Sequence, residues 1–219
     1  PFRGDPTMRK LLLAAGAALL LAGGGAQAAS VTDPVGDFLP TFVGPNDADL
    51  DVTFFSVSFD DDADVFRLRA TTAGDINPAV FGLYAIGVNT GTGPIAPFAN
   101  IGNPNVIFNQ VIAVFKTGAV SVGPNSLTAD ISGDSLSLVV PLALLPSTGF
   151  DPFQYAFNIW PRNGGDPTNN NQISDFAPNN ATLAAVPEPA TWAVMILGFG
   201  LAGGVMRRRR AFGAALGLA

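Results

Sequence analysis

The sequence predicts an all-β protein whose body is an antiparallel β-sandwich of the jelly-roll-like type. Clusters of Gly, Pro, Asn and Asp punctuate the chain at intervals of about ten residues, as the turns between short strands do. The runs between these clusters favour Val, Ile, Phe and Thr, which suit a pleated, half-buried surface. No long stretch of the body repeats its apolar residues at the helical period, so long helices are not expected there.

Composition limits how such a body can be stabilised. The chain has 219 residues, with no Cys and no His. Disulfides and thiolate metal sites are therefore excluded, and the commonest general base and metal ligand is missing. A body of about 155 residues, with Phe as its dominant aromatic, is large enough to hold a core without such links.

Eight segments of the body have the composition of strands. In chain order they are 52–59, 65–70, 80–88, 106–115, 119–122, 127–131, 135–140 and 153–160. The last of them alternates most clearly, because Phe153, Tyr155, Phe157 and Ile159 share one face. Residues 141–145 are the only segment in which a brief helical or 3₁₀ turn is expected.

The first two strands indicate how side chains are oriented. The apolar face of the first shifts between residues 50–54 and residues 55–59, which predicts a β-bulge. In the second, Arg67 and Arg69 are expected to face solvent near the acidic turn 60–64, while the apolar residues beside them face the core.

Two loops are longer than hairpin connections usually are, at 89–104 and at 161–171. Ligand contacts on a rigid sandwich usually lie on such loops. Long loops are also common as plain flexible surface. Both interpretations stay open at the level of sequence.

The N-terminal segment has the parts of a secretory signal peptide. Residues 1–7 precede the first methionine and are interpreted as an upstream extension. Met8 is followed by two basic residues and by the apolar run 11–21. Ala26 and Ala28 place small residues at the two positions that a signal peptidase reads. Residues 8–28 are therefore predicted to be removed, with cleavage after the second alanine.

The C-terminal segment has a different three-part pattern. It begins with Pro187, Glu188 and Pro189, which proline holds in an extended conformation. The apolar run 190–206 follows and is long enough for a short membrane helix. Four arginines then complete the pattern, and the positive-inside rule places them in the cytoplasm: Arg207, Arg208, Arg209 and Arg210.

This order of motif, apolar run and arginines resembles the PEP-CTERM sorting signal. The resemblance implies recognition by an exosortase of a Gram-negative bacterium, with Glu188 at the centre of the recognised motif. The expected organisation is a sandwich at 29–176, a flexible linker at 177–186, the sorting signal at 187–210 and a short cytoplasmic tail at 211–219. Signal peptidase, exosortase and, transiently, the inner membrane are the expected processing partners, and the destination is the cell surface or the medium.

The body between the two signals is strongly acidic. It contains 15 Asp and no Glu against four basic residues, and so carries a net charge of −11. Such a charge argues against nucleic acid or an anionic membrane surface as a partner. It fits a soluble exported domain.

Carboxylates concentrate near the start of the body, beginning with the Asp-Pro-Val-Gly-Asp run at 33–37. Because many calcium loops begin with Asp at alternate positions, Asp47, Asp49 and Asp51 are candidate Ca²⁺ ligands. However, Val52 stands where an EF-hand-type loop needs Gly, and no Glu follows to complete the ligand shell. The alternative is that these carboxylates form the solvated face of a strand. No other cofactor is expected.

The same run at 33–37, the Asp49-Leu50 pair and the strands after it resemble the start of DOMON-like and family-nine carbohydrate-binding-module-like sandwiches. The resemblance implies a sugar or haem ligand, and haem is disfavoured because the chain has no His. Tyr84, Tyr155 and Trp160 are the candidates for stacking on a sugar, although such residues at strand positions are commonly part of the core.

The chain has no nucleophile elbow, P-loop or dinucleotide-binding fingerprint, so catalysis is not expected. The sequence favours a non-enzymatic cell-surface or matrix protein associated with exopolysaccharide in a biofilm. One alternative is a carbohydrate-binding or calcium-dependent adhesive module. Another is a hydrolase of matrix polysaccharide that uses Asp pairs.

Overall fold

The computed structural model describes residues 28–187. In this range the chain forms two antiparallel sheets that enclose a shared core, so the predicted all-β sandwich is confirmed. None of the helices within residues 28–187 has the length and apolar character needed to cross a membrane. The predicted signal peptide up to residue 27, the apolar run 190–206 and the four arginines lie outside the described residues.

The first sheet is built from six strands: β1 (Ala29–Thr32), β2 (Val52–Asp60), β3 (Val65–Thr72), β8 (Asp130–Ser132), β9 (Ser135–Pro141) and β12 (Val186–Pro187). The antiparallel order is β1-β2-β3-β9-β8. The short β12 pairs in parallel with Ser58 and Phe59 of β2, on the edge where β1 pairs with residues 54–57. Both ends of the body therefore meet on one strand.

The second sheet also has six strands: β4 (Leu83–Asn89), β5 (Gln110–Phe115), β6 (Ala119–Val122), β7 (Asn125–Thr128), β10 (Ala156–Arg162) and β11 (Leu183–Ala184). Their order is β11-β10-β4-β5-β6-β7, and all neighbours are antiparallel. Strands β4 to β7 form a meander, whereas β10 returns late in the chain to pair with β4.

The main core lies between the sheets and is rich in aromatic rings. Phe66 of β3 lies with its ring centroid 5.4 Å from that of Tyr155 and 5.2 Å from that of Phe157. All three side chains are fully buried. Burial of side chains of this size stabilises the fold by roughly 1.5–3 kcal/mol each, so these contacts hold the first sheet to the second.

The orientations predicted for the first two strands are confirmed. The pairing of β2 with β3 skips one residue between Val52 and Phe54, which is the predicted bulge. Arg67 and Arg69 face solvent, and the guanidinium of Arg67 lies 2.7 Å from a carboxylate oxygen of Asp60. An ion pair this exposed contributes little to stability.

The single strand predicted at 127–131 is wrong, because the chain changes sheets in the middle of it. Strand β7 ends at Thr128 in the second sheet and β8 begins at Asp130 in the first. Between them, Ala129 is buried in the core and its N–H donates to the carbonyl of Gly118 at 2.9 Å. A crossing of this kind leaves the residue composition of a strand unchanged, so composition did not reveal it.

Short 3₁₀ turns are more frequent than expected. The turn predicted within 141–145 is present at Leu142–Leu144. Further single turns lie at Ala48–Leu50, Ala99–Ile101, Pro152–Gln154 and Asn170–Gln172. The third of these replaces the start of the strand predicted at 153–160, because Asp151 and Gln154 cap it reciprocally and β10 begins only at Ala156.

A second apolar cluster lies on the outer face of the second sheet, around Phe98, Phe108, Trp160 and Phe176. Trp160 lies with its ring centroid 5.0 Å from that of Phe108 and 5.1 Å from that of Phe98. Gly87 of β4 makes room for it, since a Cβ there would lie 2.7 Å from the indole ring. The first long loop, which contributes Phe98, is therefore packed against the sheet as well as being a connection.

The segment predicted as a linker at 177–186 is part of the sandwich. It supplies β11, which pairs with β10, and the first residue of β12. Asn158 Nδ2 donates to the carbonyls of Pro178 and Ala181, at 2.7 and 2.9 Å. Ala177 and Ala185 are buried. Its small and polar residues are typical of a linker, but they are held by backbone and side-chain hydrogen bonds that composition does not reveal.

Candidate functional site

An acidic cluster lies between the turn after β1 and the segment that joins β10 to β11. Asp33, Asp37 and Asp175 each place a carboxylate oxygen within 4.8 Å of the other two. Asp175 is fully buried, whereas Asp33 and Asp37 are half-buried. Among the residues that the structure describes, this is the group of acidic side chains close enough to share a metal ion. Asp33 and Asp37 belong to the run singled out in the sequence, but Asp175 is 138 positions further along the chain than Asp37.

Two turns and one strand end position these carboxylates. The N–H of Asp33 donates to the carbonyl of Thr53 at 2.9 Å, which fixes the chain just after β1. Gly36 then adopts a φ of +86°, a conformation that favours glycine, and its N–H donates to Asp51 Oδ2 at 2.7 Å. Asp51 therefore borders the turn that joins Asp33 to Asp37.

Asp175 and Asn179 approach from the other end of the body. The backbone N–H groups of Val52 and Phe176 donate to the two carboxylate oxygens of Asp175, at 2.9 and 2.6 Å. Asn179 Nδ2 donates to Asp37 at 2.9 Å and to Asp33 at 3.3 Å. These neutral donors orient the carboxylates without neutralising their charge.

The crowding of like charges changes how these groups ionise. Burial raises the pKa of Asp33 to about 7, and the charges of Asp37 and Asp51 add to the rise. Burial likewise raises the pKa of Asp175 to about 8, against the lowering effect of the Val52 N–H. The pKa of Asp51 is also raised, mainly by burial. Carboxylates that are buried close together bind a proton, or another cation, more tightly than isolated carboxylates do.

The predicted calcium residues do not converge on one site. Asp49 is buried and points to Lys116, whose Nζ lies 2.7 Å from Asp49 Oδ2, and the same oxygen accepts the N–H of Asn77 at 2.9 Å. Asp51, two positions later, faces the acidic cluster instead. Asp47 only precedes the turn at Ala48–Leu50. The alternation of these residues was the wrong guide, because a 3₁₀ turn separates them and sends each side chain to a different partner.

The three aromatics considered for sugar stacking are all part of the packed interior. Tyr84, Tyr155 and Trp160 are at most 2% exposed. The hydroxyls of the two tyrosines donate to backbone carbonyls, that of Tyr84 to Asp49 at 2.7 Å and that of Tyr155 to Leu145 at 3.0 Å. Both tyrosine rings are closed off from a sugar in the described structure, and Trp160 is almost completely buried.

A cavity of about 300 Å³ lies between the two long loops on the outer face of the second sheet. Ala85, Phe108 and Trp160 are among the residues that line it from the sheet and the second apolar cluster, and Ile95 and Pro167 line it from the loops. Ile95 is 55% exposed, so the cavity opens to solvent.

Arg162, at the end of β10, holds the second of these loops in place. Its guanidinium donates to the backbone carbonyls of Asp166 and Asn169. Burial lowers its pKa, against the raising effect of Asp166. Hydrogen bonds from the buried Arg162 side chain therefore hold the loop that forms this wall of the cavity.

The predicted sorting motif begins where the described part of the chain ends. The backbone of Pro187 forms the last residue of β12, opposite Phe59. Glu188, Pro189 and the four arginines lie outside the described residues, as does Ala26. Ala28, the predicted cleavage position, lies one residue before β1.

Comparison with known proteins identifies the C-terminal segment. A model of the PEP-CTERM protein-sorting motif matches residues 185–210. No curated protein and no solved structure matches the chain, so the resemblance to DOMON-like and family-nine carbohydrate-binding-module-like sandwiches has no support. The chain therefore carries a PEP-CTERM protein-sorting motif, which implies an exported protein that an exosortase sorts to the cell surface.

Proposed function

We propose that this protein is a non-enzymatic cell-surface or extracellular-matrix component of a Gram-negative bacterium, associated with exopolysaccharide. The observation that carries the proposal is the position of the sorting motif: it matches residues 185–210 and so overlaps β12, whose two residues pair with β2 of the sandwich. The first residue of the recognised tripeptide, Pro187, is therefore the last residue of that strand.

Two further observations support a structural rather than a catalytic role. The body is a closed sandwich whose candidate sugar-stacking aromatics are buried in its interior. The carboxylates of the acidic cluster are anchored by backbone N–H groups and by Asn179, an arrangement that restrains them. A glycosidase needs a pair of carboxyl groups that flank the scissile bond in an open sugar site.

Processing of the tail tests the sorting part of the proposal. In cells that express the full chain, Glu188→Ala is expected to leave the longer form uncleaved and membrane-associated, and deletion of the exosortase is expected to do the same. Asp62→Ala, which removes an exposed carboxylate in the turn 60–64 outside the matched motif, is the control and is expected to be processed normally. Normal processing of the Glu188 variant, or unchanged localisation without the exosortase, would contradict the proposal.

A second candidate function, carbohydrate binding, is favoured by the cavity between the loops. Its apolar lining and partial opening suit one face of a short glycan, and its volume of about 300 Å³ is at the lower end of the range for ligand pockets. If it binds matrix polysaccharide, Ile95→Asp should abolish retention of the protein on that polymer. Val43→Asp, at another exposed apolar position (69% exposed), should not. Equal retention of wild type and both variants would reject the cavity as the binding site.

A further inference from the structure

The acidic cluster has more negative charge than the body itself neutralises. Within residues 28–187 the two ion pairs are Arg67–Asp60 and Lys116–Asp49, and neither includes a member of the cluster. Arg162 is engaged with the loop carbonyls described above. The hydrogen-bond donors around the cluster and the adjoining Asp51 are therefore all neutral: they are backbone N–H groups and the amide of Asn179. Removing carboxylates from water without a counter-charge is costly.

Three carboxylate oxygens in the cluster have no hydrogen-bond partner among the described residues, although they are shielded from solvent. They are Asp33 Oδ2, Asp37 Oδ1 and Asp51 Oδ1. Each of these side chains uses its other oxygen to accept a hydrogen bond, from Asn179 or from Gly36. Buried polar atoms are normally paired. One oxygen of each of these three carboxylates is therefore left without a donor.

Asp51 is the most informative member of this set, because it is only 2% exposed. Its Oδ2 is held by Gly36, within the turn that carries Asp33 and Asp37. Asp37 is the next residue along that turn and lies with Asp33 in the acidic cluster, so the Asp51 carboxylate borders the cluster. The Oδ1 atom of Asp51 is buried and has no hydrogen-bond donor among the described residues. A bound cation would supply the positive charge that this oxygen lacks.

The spacing of the oxygens fits one hard cation. Oxygens that share a calcium ion lie at most about 5 Å apart, twice the length of a Ca–O bond. The carboxylate oxygens of Asp33, Asp37 and Asp175 lie within 4.8 Å of one another. Zinc and copper sites normally use imidazole or thiolate ligands, and the chain has no His and no Cys. Asp33 and Asp37 are only half-buried, and water would supply the remaining ligands of a shell of six to eight oxygens.

We propose that Asp33, Asp37 and Asp175 bind one Ca²⁺ ion, with Asp51 supplying a fourth negative charge. The site shares only Asp51 with the alternating Asp47, Asp49 and Asp51 of the sequence pattern. It joins the turn after β1, the residue before β2 and the segment between β10 and β11. Calcium therefore ties the first residues of the body to the segment that leads to the sorting motif. The inference does not depend on the proposed surface function.

Thermal unfolding of the full chain, purified in a nonionic detergent at pH 7.5, tests the proposal. At a Ca²⁺ concentration about 100 times the dissociation constant, the melting temperature is expected to rise by about 5–10 °C over that in chelator. Excess chelator should reverse the rise. In the double variant Asp33→Asn/Asp37→Asn the rise should disappear, while the matched control Asp61→Asn/Asp62→Asn, in the exposed turn 60–64, should retain it.

Direct titration of the wild-type chain keeps the test independent of whether the variants fold. Isothermal titration calorimetry is expected to report one Ca²⁺ ion per chain, with Mg²⁺ binding more weakly because it demands a smaller and more regular shell. Absence of heat and of any change in melting temperature would overturn the proposal. So would an equal rise with Mg²⁺ that persists in the Asp33→Asn/Asp37→Asn variant, because it would show general screening of the acidic body.

Discussion

Asp49 and Asp51 are two positions apart and both almost completely buried, yet their surroundings are opposite. Asp49 receives an internal cation, since Lys116 Nζ lies 2.7 Å from its carboxylate, and Gly82 leaves room for the lysine side chain. A Cβ at Gly82 would lie 2.6 Å from Lys116 Cε. Asp51 instead lies near Asp33 and Asp37, which carry a charge of the same sign. One carboxylate is neutralised by the fold, and the other is not.

This difference shows that the role of a buried carboxylate can be inferred from the charge of its partners. A buried ion pair that is complete within the chain has a structural role. A group of buried carboxylates oriented by neutral donors, without a cation in the described part of the body, indicates a ligand from outside. The three predictions that follow test this distinction, from the largest expected effect to the smallest.

Loss of the internal cation should be the most damaging change. Lys116→Met leaves Asp49 buried without its partner and is expected to reduce the free energy of unfolding by about 3–5 kcal/mol. Urea denaturation of the full chain measures this. The double variant Asp49→Asn/Lys116→Met should recover a large part of the loss, because it buries no unpaired charge. A loss below about 1 kcal/mol in the single variant would show that the pair is not needed.

The pH dependence of stability in chelator should reveal the uncompensated cluster. The folded-state pKa values of Asp33 and Asp175, about 7 and about 8, are above the ordinary value for Asp. Between about pH 4 and pH 8 the folded protein therefore binds more protons than the unfolded chain, so the free energy of unfolding should fall as pH rises through this window.

Urea denaturation at pH 5 and at pH 8 measures this difference. Asp60 and Asp166 have lowered pKa values, so their contributions are lost only on acidification below this window. Saturating Ca²⁺ should remove most of the fall, whereas Lys116→Met should leave its slope unchanged. A rise in stability from pH 5 to pH 8 in chelator would be the opposite of the expected result.

The smallest effect is expected for Asp51→Asn in chelator. The amide oxygen still accepts the Gly36 N–H, while one of the crowded charges is removed. The variant should therefore be as stable as wild type or more stable by about 1 kcal/mol, in contrast to Asp49→Asn, which should be destabilised because Lys116 is left unpaired. Parallel urea titrations of the two variants compare them. Equal destabilisation of both would remove the distinction between the two sites.

Much of the fold follows from local patterns in the sequence. The alternation of Phe157 and Ile159 predicted the inward face of β10, and the shift of apolar face around Val52 and Phe54 predicted the bulge. These features depend on the period of a strand, which the sequence displays directly. The change of sheet at Ala129 was missed because it depends on which partner strand is available, and composition does not specify partners.

The acidic cluster could be predicted only in part. The run from Asp33 to Asp37 was recognisable as a concentration of oxygen ligands, but Asp175 comes from the far end of the body and lies in a segment with no metal-binding pattern. Asp49 was assigned with Asp51 because they alternate, and only the packing of Lys116 separates them. Long-range contacts between turns therefore decided the site, and single-sequence patterns do not contain them.

The most direct test of the central claim is a crystal structure of the protein grown in the presence of Ca²⁺. The account predicts one ion between Asp33, Asp37 and Asp175, at about 2.3–2.6 Å from their carboxylate oxygens, while Lys116 remains paired with Asp49. An ion bound beside Asp47 and Asp49, or a cluster that stays without an ion while its carboxylates hydrogen-bond to one another, would contradict it.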